Sequence, residues 1–151
     1  MISRKTKYGL QALIYLAKHY KEGPILIADL AGSERIPKKF LELILLELKN
    51  KGILESKRGK GGGYALGKSA KEITMGEVIR ILEGPLAPVS CVSQSAYHRC
   101  KECRDELTCG IRLVMKDVRE AMAGILDNTS LADVLKKVER VSTKDILNFI
   151  I

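Results

Sequence analysis

The four cysteines of this chain, Cys91, Cys100, Cys103 and Cys109, fall in one short window, CVSQSAYHRCKECRDELTC, and none occurs elsewhere. Cysteines that serve only as small apolar residues are scattered through a core. Four thiols in one segment can converge on a point, so the chemistry open to them is metal or cluster ligation, or thiol–disulfide exchange. Thiolates are the usual donors to iron–sulfur clusters. Cys100 and Cys103 form a CxxC pair near enough to react as a cluster-free thiol switch. A structural tetrathiolate zinc site would use the same sulfurs, although zinc ribbons show two CxxC pairs where this chain has one. Spacing alone does not separate iron from zinc. Arg99, Lys101 and Arg104 surround the thiols with positive charge, which favours thiolates in each of these readings. His98 is a weaker candidate ligand, because a lone histidine in a polar loop is more often simply solvated. The chain has two histidines, no nucleophile elbow and no P-loop, so an enzyme is not expected.

Such a loop must be positioned by the rest of the chain. At 151 residues and 46% hydrophobic, the chain suits one domain, or one small domain with an appended element, and needs no disulfide to staple its core. Its net charge of +8 is unevenly placed. Residues 1–68 hold 14 Lys/Arg against 6 Asp/Glu, whereas residues 69–151 hold 12 of each. A polyanion partner for the first part follows, the plain alternative being a solvated basic surface. Arg4, Lys5 and Lys7 before YGLQALIYLA mimic a signal peptide. Gln11 interrupts the apolar run, no small-residue cleavage site follows, and the run is too short for a membrane span. The expectation is a cytoplasmic protein without membrane association, whose clustered cysteines are ligands or sensors and not structural disulfides.

The spacing of Leu10, Leu13, Ile14 and Ala17 predicts a helix over residues 6–20, ended by Gly23-Pro24. Ile27, Leu30 and Ala31 mark a short second helix with its turn at residues 32–36. Pro37 suits the first position of a third helix. Phe40, Leu41, Ile44, Leu45 and Leu48 form the inward stripe of that helix, which Gly52 stops. Two short helices with a tight turn form a helix-turn-helix pattern. ILESK, RGKGGG and YALG then read as strand, flexible turn and returning strand, which is the wing of a winged helix. The basic tip, Lys57, Arg58 and Lys60, would reach a DNA groove. Lys38, Lys39 and Glu42 lie in the opening turns of the recognition helix, where residues face the major groove.

Tyr8 to Leu16, IPKKFLE, LKNKGIL, RGKGGGYALGK and ITMGEVIRILEGPLAPVSC together resemble the BadM/Rrf family of bacterial winged-helix regulators, of the IscR, NsrR and CymR type. The resemblance extends to about Leu135, and the wing followed by ITMGEVIRILEG is its most specific part. It implies a mainly α fold with a small β-hairpin wing: a winged helix-turn-helix at residues 1–84, a cysteine sensor loop at 85–108, and dimerisation and C-terminal helices at 109–151. Residues 74–82 read as a helix ended by Gly84-Pro85. A longer helix follows Cys109 to about Ile125. Its Ile111, Val118 and Ile125 recur every seven residues, with Met115 and Met122 beside them. One face of a core helix would give the same pattern, and the resemblance makes it the dimer seam. Thr129 or Ser130 then caps a shorter helix through Val138, with Asp133 near its positive end.

The resemblance also implies a ligand set. Cluster-binding members carry three cysteines between the winged domain and the long helix, matched here by Cys91, Cys103 and Cys109. Cys100 is extra, and is the local candidate for a fourth ligand to a [2Fe–2S] cluster. IscR-like members place a histidine three residues after the last cysteine, where this chain has Arg112. NsrR-like members place an acidic residue before the first-helix tyrosine, where this chain has Lys7. The implied function is a homodimeric regulator that binds a roughly palindromic DNA operator and senses cluster status, iron or redox state. A thiol-sensing repressor, an iron–sulfur electron carrier and a protein-binding interaction module are the rivals.

Overall fold

The structure, a computed structural model, describes residues 2–150. Helix α1 spans Arg4–Lys18, α2 Ile27–Glu34 and α3 Lys38–Asn50. Strands β1, Leu54–Lys57, and β2, Gly63–Leu66, follow, and then α4, Met75–Leu82, α5, Gly110–Leu126, and α6, Leu131–Ile150. Helix α1 begins two residues earlier than its apolar spacing predicts, because Ser3 caps it by accepting from the Thr6 N–H. It closes at Lys18, where a 3-10 turn takes over at Tyr20–Glu22.

Between α2 and α3 the chain turns at Arg35, whose φ of 54° makes it the one non-glycine residue in the left-handed region among those described. Pro37 stands at the N-cap of α3, one residue before its expected place, and its carbonyl accepts from the Leu41 N–H. Leu41, Ile44, Leu45 and Leu48 are fully buried. Their i, i+3, i+4, i+7 spacing lines one side of the helix, and each contributes about 1.5–3 kcal/mol on burial. Phe40 sits at the edge of that stripe, half-buried, with its ring edge-on to Tyr8 at 5.7 Å. Ile53, Ile73, Val78 and Leu131 complete a core shared by all the helices of the winged unit.

Strands β1 and β2 pair antiparallel, from Leu54 with Leu66 to Lys57 with Gly63. Ile25 adds a bridge to Tyr64, with both N–H···O contacts at 2.8 Å. Gly63 is required there: its φ is 138°, and a Cβ would strike the Ile25 backbone. Thr74 caps α4 by accepting from the Glu77 N–H. Ser130, not Thr129, opens α6, through a reciprocal pair of bonds with Asp133 at 2.9 and 3.1 Å. The sequence places the end of this helix near Val138, but it continues to Ile150. No glycine or proline interrupts residues 131–150, and Leu135, Val138, Ile146 and Ile150 keep a helical period. No described helix is long and apolar enough to cross a membrane.

Candidate functional site

Lys38, Lys39 and Glu42 are exposed on α3, Lys39 opposite its buried stripe and Lys38 and Glu42 on its flanks. Lys57, Arg58 and Lys60 are exposed at the wing tip. None of these five cations takes part in an ion pair among the described residues. Their charge is therefore available to a partner. The Ile25–Tyr64 bridge ties the wing to the segment entering α2, and α2 packs on α3, so wing and recognition helix are held as one surface. An α-helix fits the major groove of B-DNA, and basic side chains beside it meet phosphates. At the inner edge of the same helix, Lys5 of α1 pairs with Glu47 at 2.6 Å.

The thiols occupy two limbs of one loop. Cys91 lies in a 3-10 turn, Ser90–Val92, that packs on α5 with Val92 buried. Its carbonyl accepts from Arg112 Nε at 3.3 Å. Cys109 stands at the N-cap of α5 and makes no capping hydrogen bond through its side chain. Cys109 and Cys100 both lie close enough to Cys103 to influence its thiol. Cys103 N–H bonds the Cys100 carbonyl at 3.2 Å, which closes the CxxC turn. The Cys103 thiol is pushed above its ordinary value, first by burial and then by the neighbouring Cys109, Cys100 and Glu106. The surrounding basic residues, expected to favour thiolates, do not outweigh that crowding at Cys103. Cys100 is exposed and contacts Glu102 at 3.6 Å. His98 is held by backbone contacts with Ser90 and not by its ring. Tyr97 bonds Glu106 and so ties the middle of the loop to its descending limb.

Soft thiolates are the right donors for an iron–sulfur cluster. They are not preassembled: among the described residues no three His, Cys, Asp or Glu side chains stand in metal-holding positions. The donor chemistry fits such a group, and the thiols would have to draw together to hold one.

Helix α5 presents two different faces. Arg112, Met115, Arg119, Ala123 and Leu126 recur on the side that meets the chain's own α4 and Cys91 turn. Ile111, Val118, Met122 and Ile125 lie about a quarter turn away and are uncovered, Ile111 and Ile125 being 71% and 64% exposed. Met115, expected beside the seam, is half-buried toward its own domain. The heptad spacing pointed to the apolar face and missed the cationic one. Arg112 and Arg119 also stand seven apart, a signal that was there to be read. Two further ties escaped the sequence. Arg80 of α4 grips Asp127 at the end of α5 with bonds of 2.5 and 2.9 Å. Glu83, just past α4, accepts from the Thr6 hydroxyl at 2.5 Å and the Ser3 N–H at 2.9 Å. Those donors hold the Glu83 carboxyl down at about 2.

The Rrf2 family model, described as an iron-dependent transcriptional regulator, matches residues 2–137. An rrf2-like HTH-type transcriptional regulator of Rhodobacter capsulatus is 40% identical over 138 residues, covering 89% of this chain and 92% of its own. The HTH-type transcriptional regulator CymR of Bacillus subtilis is 37% identical, covering 88% of each chain. The solved structure of that B. subtilis CymR, called the global cysteine regulator, superposes with a TM-score of 0.76 at 34% identity, covering 91% of this chain and 97% of its own. T. potens IscR superposes at 0.74 with 30% identity, covering 93% and 90%. With its winged helix, exposed basic face and thiol loop so placed, the chain belongs to the Rrf2 family and is a DNA-binding regulator of transcription, not an enzyme.

Proposed function

We propose that the chain acts in the cytoplasm as a homodimer, binds a roughly palindromic operator, and adjusts that binding to the state of its cysteine loop. In this reading Cys91, Cys103 and Cys109, with Cys100 as fourth thiolate, hold a [2Fe–2S] cluster. Bound there, the cluster would supply a redox-responsive crosslink between the limbs of the loop. The observation that carries the proposal is the junction at Cys109. Cys109 lies close enough to influence the Cys103 thiol and also stands at the N-cap of α5, the helix whose uncovered apolar face suits a second copy. Lys38, Lys39 and Glu42 then face bases while Lys57, Arg58 and Lys60 hold phosphates or a minor groove.

A chain of contacts supports communication between loop and DNA face. Arg112 holds Cys91, Arg80 holds Asp127, Glu83 holds Thr6 and Ser3, and Lys5 holds Glu47. A change in the loop can therefore alter how α5 sits on α4, and how α4 and α1 support α3.

The cluster-free thiol switch is the second reading, favoured by the closed Cys100–Cys103 turn. Anaerobic purification with an absorption spectrum and iron and sulfide assays decides between them. Visible absorption that Cys100→Ser removes or strongly shifts is the expected result. Colourless protein, free of iron and sulfide but answering peroxide by forming a disulfide, would replace the cluster with the switch.

A further inference from the structure

Helix α3 carries an apolar pair that the fold leaves unused. Leu43 is 66% exposed and Leu46 47% exposed. The helical phase puts both opposite Leu41, Ile44, Leu45 and Leu48. Lys39 lies one turn before Leu43 on the same side, with Glu42 and Lys38 on its flank. A single exposed leucine would need no explanation. Two neighbouring ones in the middle of a basic recognition surface do, because nothing among the described residues covers them.

The surrounding charge selects the occupant. A second copy docking here would set Lys38 and Lys39 against their own equivalents, whereas a DNA duplex brings phosphates to them. Within the major groove the apolar landmark is the 5-methyl group of thymine. The recognition helix enters with its N-terminal turns, and Leu43 lies in its second turn. Hydrogen-bonding side chains on this face read donor and acceptor patterns, and a leucine has none to offer. What it can discriminate is a methyl group against its absence.

We infer that Leu43 reads a thymine methyl group in each half-site of the operator, with Leu46 excluding water beside it. The inference rests on the DNA-binding reading above and names its specificity. Burying one methyl is worth about fourfold in affinity, and two symmetric half-sites about fifteenfold together.

The test begins with duplexes selected from a random pool. Each thymine of the selected operator is then replaced in turn by deoxyuridine, which removes the methyl and keeps the pairing. Wild-type protein should lose about fourfold at one thymine per half-site and about fifteenfold when both are replaced. Leu43→Ala should bind the thymine and deoxyuridine operators alike, with an unchanged salt dependence and an unchanged melting temperature, because the side chain is exposed. Wild-type indifference to deoxyuridine at every position would overturn the inference. So would a Leu43→Ala variant that kept the wild-type ratio. Failure to select any sequence, with no salt-dependent binding to duplex DNA, would instead overturn the DNA-binding reading itself.

Discussion

Gly76, near the start of α4, offers a way to cut one tie between loop and DNA face without touching either. A Cβ there would fall inside the contact distance of Asp127 Oδ1 and lie 3.1 Å from Arg80 Nη1. Gly76→Ala should therefore push Asp127 away from Arg80 and break the pair. Its side chains are 41% and 40% exposed, so solvent screening limits the pair to about 0.5–1 kcal/mol. Alanine in place of glycine in a helix returns up to about 1 kcal/mol. The two terms nearly cancel, and the melting temperature should move by no more than about 3 °C. Communication has no such compensation. If the pair transmits the state of the loop, the ratio of operator affinities between the two loop states should shrink by about two- to fivefold. Asp127→Ala removes the same pair without adding a Cβ, and should shrink the ratio equally. Fluorescence anisotropy on a labelled operator, before and after chelation or oxidation of the loop, measures it. An unchanged ratio in both variants would take the α4–α5 pair out of the mechanism.

Three further outcomes are expected. Arg58→Ala with Lys60→Ala should weaken operator binding for all sequences and reduce the salt slope by about 0.9 for each phosphate that is no longer neutralised, read from titrations at several salt concentrations; an unchanged slope would remove the wing from DNA binding. Val118→Glu puts an unpaired charge in the seam at a cost of about 3–5 kcal/mol, so sedimentation should show monomers at micromolar concentration with helical content preserved. Glu83 is held at about 2 against an ordinary 4.5, so its contribution to stability is present above the ordinary value and is lost as pH falls toward 2. Thr6→Val removes the main donor, and the melting temperature of this variant should fall less steeply than that of wild type between pH 5 and 3.

What was legible in the sequence depended on periodicity and local chemistry. The stripe at Leu41, Ile44, Leu45 and Leu48 and the glycine-rich wing state their structure directly, since both follow from neighbours a few residues apart. Gly63 shows the limit of such reading. Its need for φ 138° is local, but the approach of Ile25 that also excludes a side chain comes from a distant segment. The same limit hid the Arg80–Asp127 pair, whose members are 47 residues apart, and Glu83, which meets Thr6 across 77. The length of α6 was misread for another reason. Its second half, VSTKDILNFI, invited no prediction, although nothing in it breaks a helix. At the thiol loop, residue type and spacing singled out the candidate donors. Proximity was the part that spacing could not supply, and it sets Cys109 and Cys100 both near the Cys103 thiol.

The placement of that pair explains how a small loop could govern a large surface. A tenfold change in operator affinity needs about 1.4 kcal/mol of difference between two states, or about 0.7 kcal/mol from each protomer of a dimer. A hydrogen bond such as Arg112 to the Cys91 carbonyl is worth about 0.5–1.5 kcal/mol. The loop therefore need not unfold or refold anything. Releasing one arginine from one carbonyl, on the α5 face that meets its own domain, is on the required scale. The quarter-turn offset between the two faces of α5 matters here. A small roll of the helix that eases Arg112 and Arg119 also turns Ile111, Val118 and Ile125. A second copy packed on those residues would be turned with them. Helix α3 is tied back to α5 through α4 and α1, so in such a dimer the same roll would change the separation of the two α3 helices, the quantity to which a two-fold DNA site is most sensitive.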